Sequence, residues 1–192
     1  MGKLIVIEQF IRGKLPCALE RDIMPQVCEA LEPMFQTAAL PGERGLYVVS
    51  GNAGFQSAVQ FWSDARRSGV GLANPELFPW TLANAPCGWL ARHFQVTGPN
   101  YTFTGKAEAL YSAFSQAADD LNKARIVSAW VIAVDFAQKP SEKTLFAALR
   151  LALAAPGASD HKPVSWLSGP RSSGTSILFK QKETLAGRYL NV

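Results

Sequence analysis

Nine consecutive residues, Ile126-Val-Ser-Ala-Trp-Val-Ile-Ala-Val134, carry no charge and are apolar at odd and even positions alike. A strand with one wet face alternates between apolar and polar residues. This run does not, so it needs cover on both faces, as the central strand of a parallel sheet has. A chain holding such a strand must supply packing layers for each side of it. That requirement predicts an α/β fold with helices on both faces of the sheet.

The rest of the chain supplies those layers. Leu4-Ile-Val-Ile7 reads as a short strand, and Ile23, Val27, Ala30, Leu31, Met34 and Phe35 share one face of a helix over 23–39. Pro33 is expected to end or kink that helix. Gly45-Leu-Tyr-Val-Val-Ser50 is a second strand. The turn Gly51-Asn52 leads from it to a helix carrying Phe55, Ala58, Val59, Trp62 and Ala65, with Arg66 and Arg67 in the last turn. The order so far is βαβα. Residues 69–85 are loop-like, Pro86 can open a helix running to Phe94, and Tyr101-Thr-Phe-Thr104 is a strand candidate. Over 106–122, Ala107, Leu110, Tyr111, Phe114, Ala117, Ala118 and Leu121 form one helical face. The other sides hold Ala109, Ser112, Ala113 and Ser115, which predicts a helix enclosed nearly all round. Residues 144–154 fit a helix (Leu145, Leu149, Leu153) and an alternating strand equally well, and Gly174–Phe179 reads as a final strand. One domain over 1–182 with a polar tail at 183–192 is the expected organisation.

At 192 residues, with 48% hydrophobic and 18% charged side chains, the chain can bury a core and has no signature of disorder. Its apolar runs fall short of a membrane span, and the N-terminus meets Glu8 too soon for a signal peptide. A soluble cytoplasmic protein is expected. The net charge of +4 comes mainly from residues 151–192, where Lys162, Arg171, Lys180, Lys182 and Arg188 face only Asp160 and Glu183. Without a Lys/Arg run this does not point to nucleic acid.

Chemistry is bounded by scarcity. His93 and His161 are the two histidines, and Cys17, Cys28 and Cys87 show no CxxC spacing. No metal site is expected from such a set. No phosphate-cradling or nucleophile-elbow motif is present, and no cofactor is expected. Cys87 follows Pro86 at a helix start, a position that can favour thiolate, so Cys87 is the one candidate nucleophile. His93, six residues on, is a poor partner for it, and a small packed residue is the competing reading.

The segment Asn74-Pro-Glu-Leu-Phe-Pro-Trp-Thr-Leu-Ala-Asn84, with Pro86-Cys-Gly-Trp-Leu-Ala91 after it, resembles the N-terminal half of β-ketoacyl synthases. Thr97-Gly-Pro-Asn-Tyr-Thr102 is similar to the Gly-Pro strand that leads to the synthase nucleophile. Ser50-Gly-Asn-Ala-Gly-Phe-Gln-Ser57 stands in the place of that family's strand-to-helix turn, and Ile126–Asp135 resembles the strand that closes the unit. The resemblance covers roughly residues 45–140 and rests on the order and spacing of these segments. It implies half of a thiolase-like fold with a mixed, mostly parallel sheet.

The departures are informative. In the family a cysteine follows the Gly-Pro pair by about nine residues, at a helix N-terminus that favours thiolate. Here Lys106-Ala107-Glu108 occupies that turn, and Ala107 stands where the nucleophile would be. The family's two catalytic histidines sit in a C-terminal half that the resemblance does not find in this sequence. The implied role is non-catalytic: a chain-length-factor-like subunit paired with an active ketosynthase in type II polyketide, aryl-polyene or fatty-acid-type biosynthesis. A thioester-handling acyltransfer enzyme using Cys87 and a self-associating structural homodimer are the alternatives.

Interface and pocket residues implied by the resemblance are Phe78, Trp80, Asn84, Tyr101, Phe103, Lys106, Glu108 and Tyr111. Lys106 and Glu108 read either as a gate or as ordinary first-turn polar residues, and Phe78 and Trp80 as exposed contact anchors. The other tryptophans, Trp62, Trp89, Trp130 and Trp166, read as core. Lys162, Arg171 and Lys180 could meet an acidic acyl carrier protein, or form a solvated basic face.

Overall fold

The computed structural model describes residues 4–36 and 43–154, together with the backbone of residues 189–190. The chain runs through β1 (Ile5–Leu15), α1 (Glu20–Gln36), β2 (Arg44–Ser50), α2 (Phe55–Ser68) and two 3-10 turns, Val70–Leu72 and Pro75–Thr81. It continues with α3 (Ala85–His93), β3 (Asn100–Thr104), α4 (Ala107–Asn122), β4 (Ser128–Asp135), β5 (Thr144–Leu153) and β6 (Tyr189–Leu190). The strands form one sheet in the order β3-β2-β4-β5-β1-β6.

β4 lies inside the sheet and feeds two cores. Trp130, Ile132 and Val134 point to the layer of α1 and α3, where they meet Ile23, Val27, Leu31 and Leu90. Ala129, Val131 and Ala133 point to α4 and its Leu110, Phe114, Ala117 and Leu121. Helices therefore cover both faces, as the unalternated run requires. The sheet is mixed, but the expected parallel majority is corrected: β2 runs parallel to β3 and β4, whereas β5 is antiparallel to β4 and to β1, and β6 is antiparallel to β1. The eight residues between β4 and β5, 136–143, are too few for a helical crossover, and a short return reverses the chain.

Several local expectations shift. Residues 144–153 resolve as a strand, because Leu149 and Leu151 pack toward α4 while Phe146 and Ala148 pack toward α1. β1 extends well past Ile7. Its pairing with β5 slips at Glu8, between Ile7 and Gln9, so Phe10 still reaches the α4 layer while Ile11 and Leu15 reach the α1 layer. A pure alternation search stops at that bulge.

α1 begins at Glu20, earlier than expected, and passes through both Pro25 and Pro33. Each interior proline costs ~3 kcal/mol. Ile23, Met24, Val27, Leu31 and Met34 are fully buried, and each contributes about 1.5–3 kcal/mol, which outweighs the two prolines. The segment expected as a strand at 174–179 and Trp166 lie outside the described residues.

The largest departure concerns the two helices read as apolar. α4 is not enclosed all round: Glu108, Ser112, Ser115 and Asn122 are exposed on its outer side. Conversely, the apolar face expected of α2 is not core. Phe55, Val59 and Trp62 are 53%, 54% and 60% exposed, and the helix buries only Ser57 and Ala65. Trp89 is also partly exposed, at 37%, whereas Trp130 is fully buried.

Candidate functional site

The C-terminal ends of the parallel strands β2, β3 and β4 converge at one edge of the fold, where ligands gather in open α/β sheets. β3 leads directly into α4 through Gly105 and Lys106. Gly105 has φ 144°, a conformation that L side chains rarely adopt. Its N–H donates to the Ser50 carbonyl at 3.3 Å, and a Cβ on Gly51 would come within 3.2 Å of the Gly105 carbonyl oxygen. The two turns thus meet backbone to backbone. Asn52 ties the third strand end: its Nδ2 donates to the Phe136 carbonyl at 2.7 Å, and its Oδ1 accepts from the Phe136 N–H at 3.0 Å. Ser50 Oγ accepts from the N–H of Ala53 at 3.0 Å and completes the turn.

Ala107 is the first residue of α4 and is 8% exposed. It therefore occupies a buried position at a helix N-terminus, where an anion or thiolate is favoured. Its methyl group can carry neither. Lys106 and Glu108 flank it and are exposed. The Lys106 N–H donates to Glu108 Oε1 at 3.0 Å, so Glu108 turns back and caps its own helix. Backbone hydrogen bonds from Lys106 and from Glu108 itself hold that carboxyl below its ordinary range.

The other expected residues are spread over β3, α4 and the segment before α3. Tyr101 and Phe103 stand on β3, with Tyr101 39% exposed and Phe103 packed against the α4 core. Tyr101 stacks on Tyr47 at 5.7 Å between ring centroids. Tyr111 is half-buried on α4 and Asn84 is exposed just before α3. Phe78 is exposed and lies 5.9 Å from Phe61. Trp80 departs from the expected exposed anchor: it packs against the α1 layer and sits 5.4 Å from Trp89. Lys162, Arg171 and Lys180 lie outside the described residues.

Cys87 is buried, and its Sγ donates to the Tyr101 carbonyl at 3.5 Å. Burial pushes its pKa up to about 11, against a smaller opposing hydrogen bond at Thr102. The position at a helix start does not make a thiolate here, because desolvation disfavours the charge more. His93 is engaged elsewhere, with Nε2 3.1 Å from Glu32 Oε1.

Two features escaped sequence reasoning. Glu20 is fully buried and accepts from the N–H groups of Gln56 and Ser57 and from Ser57 Oγ at 2.6 Å, which caps α2 from another helix. Asp120, also buried, accepts from Tyr47 Oη at 2.8 Å, Gln116 Nε2 at 3.2 Å and Arg125 at 2.9 Å. Burial works to raise the Asp120 pKa, and these three donors together outweigh it, so the carboxyl sits below its ordinary value. Burial and the neighbouring Asp120 push the Tyr47 phenol well up. The partners of Glu20 lie 36 and 37 residues along the chain, and Asp120 joins two near neighbours, Gln116 and Arg125, to the distant Tyr47, so the sequence marks neither cluster.

No protein-family model and no curated protein sequence matches the chain. Solved structures do. A chain of the ketosynthase ApeO in complex with its chain length factor ApeC from Xenorhabdus doucetiae superposes with a TM-score of 0.61 at 10% identity, over 87% of this chain and 65% of that one. A type II polyketide synthase complex of an acyl carrier protein with its ketosynthase bound to the hexaketide gives 0.65 at 10% identity, over 80% and 59%. The ishigamide ketosynthase/chain length factor gives 0.54 at 13% identity, over 62% and 38%.

The fold is that of a ketosynthase-like, thiolase-type domain.

At these identities the likeness establishes architecture alone. The chain spans between 38% and 65% of the length of these three ketosynthase-like chains. Among the described residues no helix is long and apolar enough to cross a membrane, and no cluster of three or more His, Cys, Asp or Glu could hold a metal ion.

Proposed function

We propose that this chain is a non-catalytic, chain-length-factor-like partner subunit of an active ketosynthase in type II polyketide, aryl-polyene or fatty-acid-type biosynthesis. The observation that carries the reading is Ala107: a buried methyl group at the first residue of α4, directly after the glycine turn that ends β3. In a ketosynthase-like fold this turn presents the nucleophile, and a methyl group cannot form a thioester. Cys87 offers no substitute, being buried with its pKa pushed up to about 11.

The mode of action is therefore contact. β3 is an edge of the described sheet and hydrogen-bonds only to β2 within it, so among the described residues its outer edge has no strand beside it and would pair with a strand of another subunit. Tyr101, Phe103 and Tyr111 lie beside that edge and would help to form a shared pocket wall. The exposed outer side of α4 is small and polar at Ser112 and Ser115, which permits close approach of a partner layer.

Co-expression with the ketosynthase encoded nearest to it, followed by light scattering on a sizing column, tests the reading. A stoichiometric heteromer is expected. Covalent acylation of this chain by an acyl carrier protein, seen as a mass increase, would overturn it, as would elution of a lone 20.8 kDa monomer beside an intact ketosynthase dimer.

A further inference from the structure

α2 presents an open apolar stripe that the pairing proposed above does not use. Phe55, Val59 and Trp62 follow one another at i, i+4 and i+7, each more than half exposed. The stripe rises about 10 Å along the helix axis. Ala58 and Ser63 lie in the same groove, which has a volume of about 690 Å³ and ends at Arg66 and Arg67. Small side chains at the centre allow a second backbone to come close. Among the described residues that line the groove, none is acidic. Arg67 is paired with Asp64 at 2.9 Å, and Arg66 has no acidic partner among the described residues. The surface is held from beneath, since Glu20 caps the start of α2 and Ala65 is buried near its end.

The geometry points to this groove as a docking surface for an amphipathic helix that carries acidic residues at its N-terminal end. Apolar residues at i, i+3 or i+4, and i+7 of that helix lie on Phe55, Val59 and Trp62. Its acidic end meets Arg66. This orientation is antiparallel, so the partner's positive N-terminus faces the negative C-terminus of α2, and the dipoles agree with the side-chain charges. An apolar stripe with one cationic end selects a helix by its apolar spacing and by its polarity together. An isolated apolar face would not do so.

The test uses the full chain and two labelled synthetic peptides of about 14 residues. Both share one leucine and phenylalanine stripe, and they carry either glutamates or lysines in the first turn. In fluorescence anisotropy the acidic peptide is expected to bind saturably, at least about tenfold tighter than the basic one. Added salt should narrow that preference. The double variant Arg66→Glu, Arg67→Glu should reverse it, and Val59→Glu should abolish binding with the circular dichroism spectrum unchanged. Equal affinity for both peptides, no binding, or binding that survives Val59→Glu overturns the proposal. Self-association that Val59→Glu abolishes, in the absence of peptide binding, also overturns it and assigns the stripe to a second copy of the chain.

Discussion

Asn52 and Phe136 are joined by two hydrogen bonds in opposite directions, one to the Phe136 carbonyl at 2.7 Å and one from its N–H at 3.0 Å. One side chain thereby fixes the end of β4 against the turn that follows β2, next to the turn that starts α4.

Asn52→Ala removes both bonds and leaves the Phe136 N–H and C=O without these partners. The expected loss is about 2–3 kcal/mol of unfolding free energy, read from urea denaturation. Asn52→Asp keeps the acceptor, loses the donor and sets a carboxylate against a carbonyl, so it should recover little of the loss. A variant as stable as the parent would show that the clamp contributes nothing.

Asp120 makes stability depend on pH in a fixed direction. Its native pKa lies below the ordinary 3.8, so an unfolded chain binds the proton more readily. The contribution is whole above that ordinary value and is lost as pH falls through the native one. Asp120→Asn should flatten the acid limb of a stability–pH profile, and Tyr47→Phe should lower stability at neutral pH by about 1–2 kcal/mol. An unchanged acid limb in Asp120→Asn would refute the assignment.

Gly98 lies against the backbone of Arg44, and an added Cβ would collide with the Arg44 carbonyl oxygen. Leu46 N–H also donates to the Pro99 carbonyl at 2.8 Å, so the entry to β3 cannot move away easily. Gly98→Ala is expected to destabilise by at least about 2 kcal/mol, measured by thermal melting. An unchanged melting temperature contradicts the close approach. The Gly-Pro pair of the sequence thus has a packing reason of its own, apart from any family likeness.

Thiol reactivity should follow burial. Cys28 and Cys87 are buried with pKa values pushed up to about 11, whereas Cys17 is half-buried. Iodoacetamide at pH 8 should label Cys17 first and leave the other two unmodified until the fold opens, as intact-mass and peptide mapping will show. In Ala107→Cys the new thiol sits at a helix N-terminus, so it should react faster than Cys87. Rapid labelling of Cys87 in the native chain would revive it as a nucleophile.

Much of this was legible in the residues. The unalternated Ile126–Val134 run fixes a buried central strand, because backbone geometry turns successive side chains to opposite faces. The Gly98-Pro99 segment and the α4 periodicity likewise place β3, its turn and Ala107 in order. Periodicity also marked an apolar face on α2 and predicted a nearly enclosed α4. It could not say which face meets a core, since a moment along one helix carries no information about what lies opposite.

What the tertiary structure alone decided is therefore contact across distance. The bulge at Glu8, the antiparallel pairing of β5 with β1, the capping of α2 by Glu20 and the Tyr47–Asp120 bond all depend on partners tens of residues away. Sequence determined which segments can be strand or helix, because those preferences are local. Folding determined that Cys87 is a buried thiol, that Ala107 is buried at the first turn of α4 and that the stripe on α2 faces outward. Burial and electrostatics at a point are set by every element packed around it, and no single segment contains them.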